Sequence, residues 1–146
     1  MSYLCTRIHF IWSTARRDPM IHRDWQPRLH GCMRGILENL NCKTFVIGGV
    51  EDHVHIYCSL PSTATIADIA GTVKCNSTDW VRQTINSGFG WQDGYAAFTM
   101  SKSADQDVIN YILTQEEHHR RLTFKEKPLA FLDKFGVAYD PRYVFQ

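Results

Sequence analysis

Along this chain the apolar residues recur either at every second position or at roughly every 3.6 positions, and the order of these switches constrains the fold more than any single motif. Leu4, Thr6, Ile8, Phe10 and Trp12 lie on one face, with Tyr3, Arg7 and His9 on the other, which predicts a first strand within YLCTRIHFIWST. After the polar loop ARRDPMIHR, the residues Trp25, Leu29, Met33, Ile36, Leu37 and Leu40 recur at helical spacing and predict a helix from Asp24 to about Leu40. KTFVIGGV and HVHIYCSL are two short strand-like runs joined by a turn around Gly48, Gly49 and Glu51, the pattern of an antiparallel hairpin. Beyond Pro61, Ile66, Ile69, Ala70, Val73, Trp80 and Val81 mark a second helix from Thr65 to about Ile85, with Thr65 and Asp68 as a capping pair. The glycine-rich loop NSGFGWQDG leads to a fourth strand in YAAFTMS. SADQDVINYILTQEEHH predicts a third helix opened by a Ser103–Gln106 capping box, and KEKPLAFLDKF a short final one before the tail GVAYDPRYVFQ.

The resulting order is strand, helix, strand, strand, helix, strand, then additional helix. That is the βαββαβ order of an α+β, ferredoxin-like split sandwich: an antiparallel sheet covered by two helices on one face, with an additional C-terminal helix carrying Tyr111. The other face of the sheet is expected to be uncovered. At 146 residues, 44% of them hydrophobic, the whole chain, 1–146, is expected to form a single domain. No apolar run is long enough for a membrane span, and Arg7 and His9 interrupt the apolar start of the chain, so the expected location is cytoplasmic and away from membranes. Five dispersed cysteines with no C-x-x-C pair argue against a disulfide framework or a cysteine zinc site. The formal net charge of +1 selects no partner, but up to Lys43 the sequence holds seven Lys/Arg against three acids, a locally basic stretch suited to phosphates.

The stretch EDHVHIYCS carries the first chemical signal. On a strand, side chains alternate faces, so His53 and His55 point the same way and Val54 the other, making a pair of imidazoles. Two histidines supply only two metal ligands, and a catalytic ion needs a further protein ligand together with open positions. The third helix offers candidates. Ile109, Ile112 and Leu113 make its apolar stripe, while Tyr111, Gln115 and, close to the same line, His118 form a neighbouring stripe that is not core.

HVH, the later Y-I-L-T-Q, and between them VKCNSTDW and WQDGYAAFTMS resemble the IS200/IS605-type single-tyrosine transposases of the HUH superfamily, in which two histidines flank one hydrophobic residue. The similarity runs from the first strand to the tail. It implies a strand transferase and endonuclease acting on single-stranded DNA, at transposon ends that carry hairpins. By the same resemblance Tyr111 is the nucleophile, His53, His55 and Gln115 hold a divalent ion, Mg²⁺ or Mn²⁺, and the protein forms a homodimer. The chemistry agrees: a tyrosine hydroxyl is mostly protonated at neutral pH, and a cation on the scissile phosphate offsets the charge that develops there. Two neutral imidazoles and a neutral amide leave that ion its full charge, although such N/O donors also accept Zn²⁺, Co²⁺ or Ni²⁺. The stretch KEKPLAFL departs from the more acidic and aromatic segment common in the family.

Alternatives remain at each position. Glu116 or His118 could replace Gln115 as third ligand, and Tyr57, on the histidine face by its two-residue offset, is a rival nucleophile. Arg16, Arg17, Lys74, Ser77, Arg120 and Arg121 are candidate contacts to the DNA backbone. Trp91, Tyr95 and Phe98 could stack on bases or fill the core. The competing functions are a noncatalytic nucleic-acid-binding module of the same fold and a metal hydrolase of small phosphoesters.

Overall fold

A computed structural model describes residues 3–114. The chain forms β1 (Ile8–Ser13), α1 (Gln26–Asn39), β2 (Lys43–Val50), β3 (His53–Ser59), α2 (Ile66–Thr84), β4 (Ala96–Thr99) and α3 (Asp105–Leu113). The four strands make one sheet in the order β2-β3-β1-β4, all neighbours antiparallel. This is the split-sandwich arrangement expected from the sequence. The short final helix expected over KEKPLAFLDKF, together with Gln115, Glu116, His118, Arg120 and Arg121, lies outside the described residues.

Alternation in the central strands divides the interior in two. Ile8, Phe10 and Trp12 of β1 and Val54, Ile56 and Cys58 of β3 point to one face, where Leu29, Met33 and Leu37 of α1 and Ile69, Ala70, Val73 and Val81 of α2 close over them. Pro27 in the first turn of α1 and Thr65, whose hydroxyl accepts from the Asp68 backbone N–H at 3.1 Å, mark the two helix starts. The expected capping pair therefore forms at α2.

The opposite face is not left uncovered. Tyr57 of β3 and Val46 of β2 pack with Val108 and Ile112 of α3, so this helix lies across the β2–β3 side of the second face. Its apolar stripe is Val108 and Ile112, whereas Leu113, expected in that stripe, is 65% exposed. The expected Ser103–Gln106 capping box is absent too. Ser103 shares a hydrogen bond with Ser101, and Gln106 donates to the Asn110 side chain. A 3₁₀ turn, Lys102–Ala104, leads instead into a first helical turn carrying Asp105 and Asp107, whose charges suit a helix N-terminus.

Gly48 sets how closely α3 approaches the sheet. It pairs with His55 across the β2–β3 ladder, and a Cβ at this position would meet Ile112 Cγ2 at 2.7 Å and the Ile112 carbonyl oxygen at 2.8 Å. Only a residue without a side chain admits the helix at that distance. Gly48→Ala is expected to destabilise the protein by about 1–3 kcal/mol through overpacking. Gly35→Ala in α1, where a Cβ meets nothing within 4 Å, is expected to be neutral or stabilising by up to about 1 kcal/mol. Urea denaturation of the two variants beside wild type checks both signs.

A candidate active site on the second sheet face

The register of β1 against β3 builds the site. His9 lies opposite Tyr57, Ile11 opposite His55 and Ser13 opposite His53. Directly opposed residues share a face, so His9 of β1 joins His53, His55 and Tyr57 on the face that α3 partly covers. All three imidazoles are buried, His9 and His53 at 0% exposure and His55 at 1%.

Buried imidazoles need hydrogen-bond partners. Nδ1 of His53 meets Oδ1 of Asp52 at 2.8 Å. An ionised carboxylate only accepts, so His53 carries its proton on Nδ1 and presents the Nε2 lone pair. Asp52 is itself fixed, since its backbone carbonyl accepts from the Thr14 N–H at 2.9 Å. Nδ1 of His55 shares a hydrogen bond of 2.9 Å with Nε2 of His9. Burial pushes the pKa of His9 down to about 3, which keeps that ring neutral at physiological pH. The rings of His53 and His55 stand 5.1 Å apart between centroids, with their planes inclined by 73°.

Tyr111 comes to this pair from α3. Its half-buried ring sits edge-on to His55 at 5.8 Å and to His9 at 6.4 Å. The late tyrosine and the histidine pair of the same chain thus meet in space. Tyr57 is in a different state. It is fully buried, and its hydroxyl donates to Asp105 Oδ1 at 2.6 Å. Burial, then the hydrogen bond to Asp105 and its charge, raises its pKa far above that of an ordinary phenol. A phenol held protonated against a carboxylate and closed off from solvent is a poor nucleophile.

Asp105 ties the start of α3 to the sheet. Besides Tyr57, the Arg7 guanidinium Nε donates to both of its carboxylate oxygens, at 3.0 and 3.2 Å, and lies over the Phe45 ring at 4.4 Å. Partial burial opposes ionisation of Asp105, but the hydrogen bonds from Arg7 and Tyr57 and the Arg7 charge outweigh it and hold its pKa below the ordinary carboxylate value.

The proposed DNA contacts fall in different settings. Arg16 and Arg17 follow β1 in a turn where both adopt left-handed backbone angles, φ 56° and 58°. That turn adjoins the His53 end of the sheet, with Ala15 N–H bonded to Gly90 O and Thr14 to Asp52. Arg16 is exposed and paired with Asp18. Lys74 donates to the carbonyls of Asp93 and Gly94, both at 3.0 Å. Ser77 is a correction: it is buried, donates to the Val73 carbonyl and accepts from Trp91 Nε1 at 2.9 Å, so it braces the core and offers no surface to DNA. Trp91 is core as well, Tyr95 is exposed, and Phe98 packs edge-on to His9 at 6.4 Å.

Sequence reading missed His9, Asp52, Arg7 and Asp105. The signal for His9 was its place off the apolar face of the first strand, and for Asp52 its position directly before HVH. Among the described residues no three of His, Cys, Asp and Glu converge to hold a metal ion. His53 and His55 fit two positions of such a site in donor type, each with Nδ1 engaged by an orienting partner, and Gln115 lies outside the described residues.

With this geometry established, comparison with known proteins gives a consistent result. The family model described as "Transposase IS200 like" matches residues 2–115. The chain belongs to the IS200-like transposase family. Its fold is similar to that of a candidate transposase from Deinococcus radiodurans R1, with TM-score 0.64 and 20% identity over 79% of this chain and 95% of the other. It is similar also to a REP-associated tyrosine transposase solved with a REP hairpin, with TM-score 0.62 and 14% identity over 100% of this chain and 92% of that one. No curated protein sequence matches the chain.

The Asp105 junction makes a stability prediction. Asp105→Ala leaves the buried Tyr57 hydroxyl without its acceptor and is expected to cost about 1–3 kcal/mol at pH 7. Because folding depresses the carboxylate pKa, its contribution is complete above the unfolded value near 3.9 and is lost as pH falls through and below it. The gap between wild type and variant, measured by urea denaturation, is therefore expected to be full at pH 7 and smaller at pH 3.

Proposed function

We propose that this protein is a single-stranded-DNA transposase that cleaves and rejoins transposon ends through a 5′-phosphotyrosine on Tyr111, with His53, His55 and Gln115 holding Mg²⁺ or Mn²⁺. The observation that carries this reading is the seating of the Tyr111 ring against His55, 5.8 Å between centroids, on the sheet face that also bears His53. Family membership supports it independently.

When bound, the divalent ion supplies positive charge to the scissile phosphate and orients it. Tyr111 attacks phosphorus with its phenolic oxygen, forms the phosphotyrosyl ester and gives up its proton. The bond to the 3′-oxygen breaks, and that oxygen leaves as a hydroxyl after taking up a proton. The ester conserves the phosphodiester bond energy, so a second 3′-hydroxyl reverses the step and joins a new strand without a nucleotide cofactor. His53 and His55 act as neutral donors, and α3, fixed at its start by Asp105 and Arg7, holds Tyr111 beside them. The buried, hydrogen-bonded Tyr57 supports the choice of Tyr111 over it.

The partner is single-stranded DNA with a hairpin end, in keeping with the hairpin held by the structurally similar REP-associated protein. Arg16 and Arg17, at the His53 end of the sheet, and Arg120, Arg121 and Lys74 are the proposed backbone contacts. The chain is proposed to work in the cytoplasm as a homodimer; among the described residues the sheet ends in strands β2 and β4, edges that association would cover.

Wild-type protein incubated with hairpin-bearing single-stranded DNA and Mn²⁺ is expected to form a covalent adduct visible on a denaturing gel. Tyr111→Phe should abolish it and Tyr57→Phe retain it, while EDTA should prevent it and added Mn²⁺ restore it. An adduct that persists in Tyr111→Phe overturns the assignment, and metal-independent DNA binding with no adduct in wild type identifies a noncatalytic nucleic-acid-binding module instead. Light scattering at micromolar concentration is expected to report a dimer; monomer alone would remove that part of the proposal.

A further inference from the structure

The two histidines of HVH are oriented by unlike partners. His53 donates its Nδ1–H to a carboxylate, Asp52, and the tautomer follows from that acceptor alone. His55 is bonded through Nδ1 to Nε2 of another imidazole, His9, at 2.9 Å, and a pair of neutral imidazoles admits two arrangements. If His9 donates, the His55 proton sits on Nε2 and that nitrogen cannot coordinate. If His9 accepts, His55 carries its proton on Nδ1 and Nε2 offers a lone pair parallel in role to that of His53.

We infer that His9 is a positioning residue: its Nε2 accepts a hydrogen bond from the Nδ1–H of His55 and so sets the tautomer in which His55 Nε2 can take a divalent cation. The inference rests on the metal-site reading proposed above and extends it to a residue of a different strand. The placement of His9 favours such a role over simple packing. It stands on the central strand β1, opposite Tyr57, fully buried, and its ring meets His55 and the edge of Tyr111 at once. A residue there that only filled space would not need to be polar, and a buried polar ring persists where its hydrogen bond is used. The ring centroids of His9 and His55 are 5.2 Å apart with planes inclined by 35°, and the bond joins Nε2 of one to Nδ1 of the other, the nitrogen that a metal-binding histidine commonly commits to an orienting partner.

Two measurements test this. Long-range ¹H–¹⁵N correlation spectra of the histidine rings in the metal-free wild-type protein are expected to show His55 protonated at Nδ1; a His55 protonated mainly at Nε2 overturns the inference. Mn²⁺ binding by isothermal titration calorimetry is expected to weaken about 10–100-fold in His9→Phe, the range for losing an orienting partner. His9→Gln, whose carbonyl oxygen can still accept from Nδ1, is expected to recover part of that loss. Folded His9→Phe protein that binds Mn²⁺ as tightly as wild type overturns the inference, and a matching amide fingerprint spectrum establishes that the variant is folded. Absence of Mn²⁺ binding by wild type would sink the metal reading of the proposed function, whereas the ring spectra, which need neither metal nor variant, still decide the role of His9.

Discussion

Everything on the second face of the sheet depends on the register in which β1 meets β3. With His9 set against Tyr57 and Ser13 against His53, the polar positions of two strands fall on one side and the large apolar ones on the other. A slip by one residue would turn His9 into the core beneath α1 and α2 and bring Phe10 beside the histidines. The apolar side prevents this, because Phe10 and Trp12 are buried between the helices and have nowhere else to go. The register of the site is therefore enforced from the reverse of the sheet, by side chains that never touch it.

Polar burial on the site side is offset by hydrogen bonds between side chains. Asp52 serves His53, His9 serves His55, and Asp105 gathers Arg7 and Tyr57. These three small networks do different things. The first two orient rings, and the third fixes the start of the helix that bears Tyr111. Gly48 completes the arrangement by leaving space where the helix crosses the hairpin. Tyr111 can thus be placed from one end by an ion pair and along its length by close packing, while its own ring remains half exposed.

Much of this was legible in the sequence. Alternation in IHFIWS and HVHIYCS, the hairpin between KTFVIGGV and HVHIYCS, and the Thr65 cap of α2 all appear in the structure, because each rests on local periodicity or capping chemistry, although the hairpin turns at Glu51 and Asp52 and Gly48 and Gly49, expected in the turn, pair inside β2. The docking of α3 onto the second face was not legible. Its signal lies in the absence of a side chain at Gly48 and in the pairing of Asp105 with Arg7, 98 residues earlier, neither of which has a local pattern. Ser77 misled for a related reason. A serine on a helix reads as polar surface, yet its hydroxyl turns back to the Val73 carbonyl and receives the Trp91 indole, so it can be buried at little cost.

The turn after β1 holds two adjacent non-glycine residues, Arg16 and Arg17, in left-handed conformations. Each carries a steric penalty of about 1–2 kcal/mol, and the turn keeps its shape because the backbone bonds from Thr14 to Asp52 and from Ala15 to Gly90 hold the chain entering it. Such a segment resembles a bent spring clamped at one foot. Asp52, the residue that clamps it through its carbonyl, also grips His53 through its carboxylate, so any rearrangement of the two arginines that loosened the foot would be felt at the imidazole.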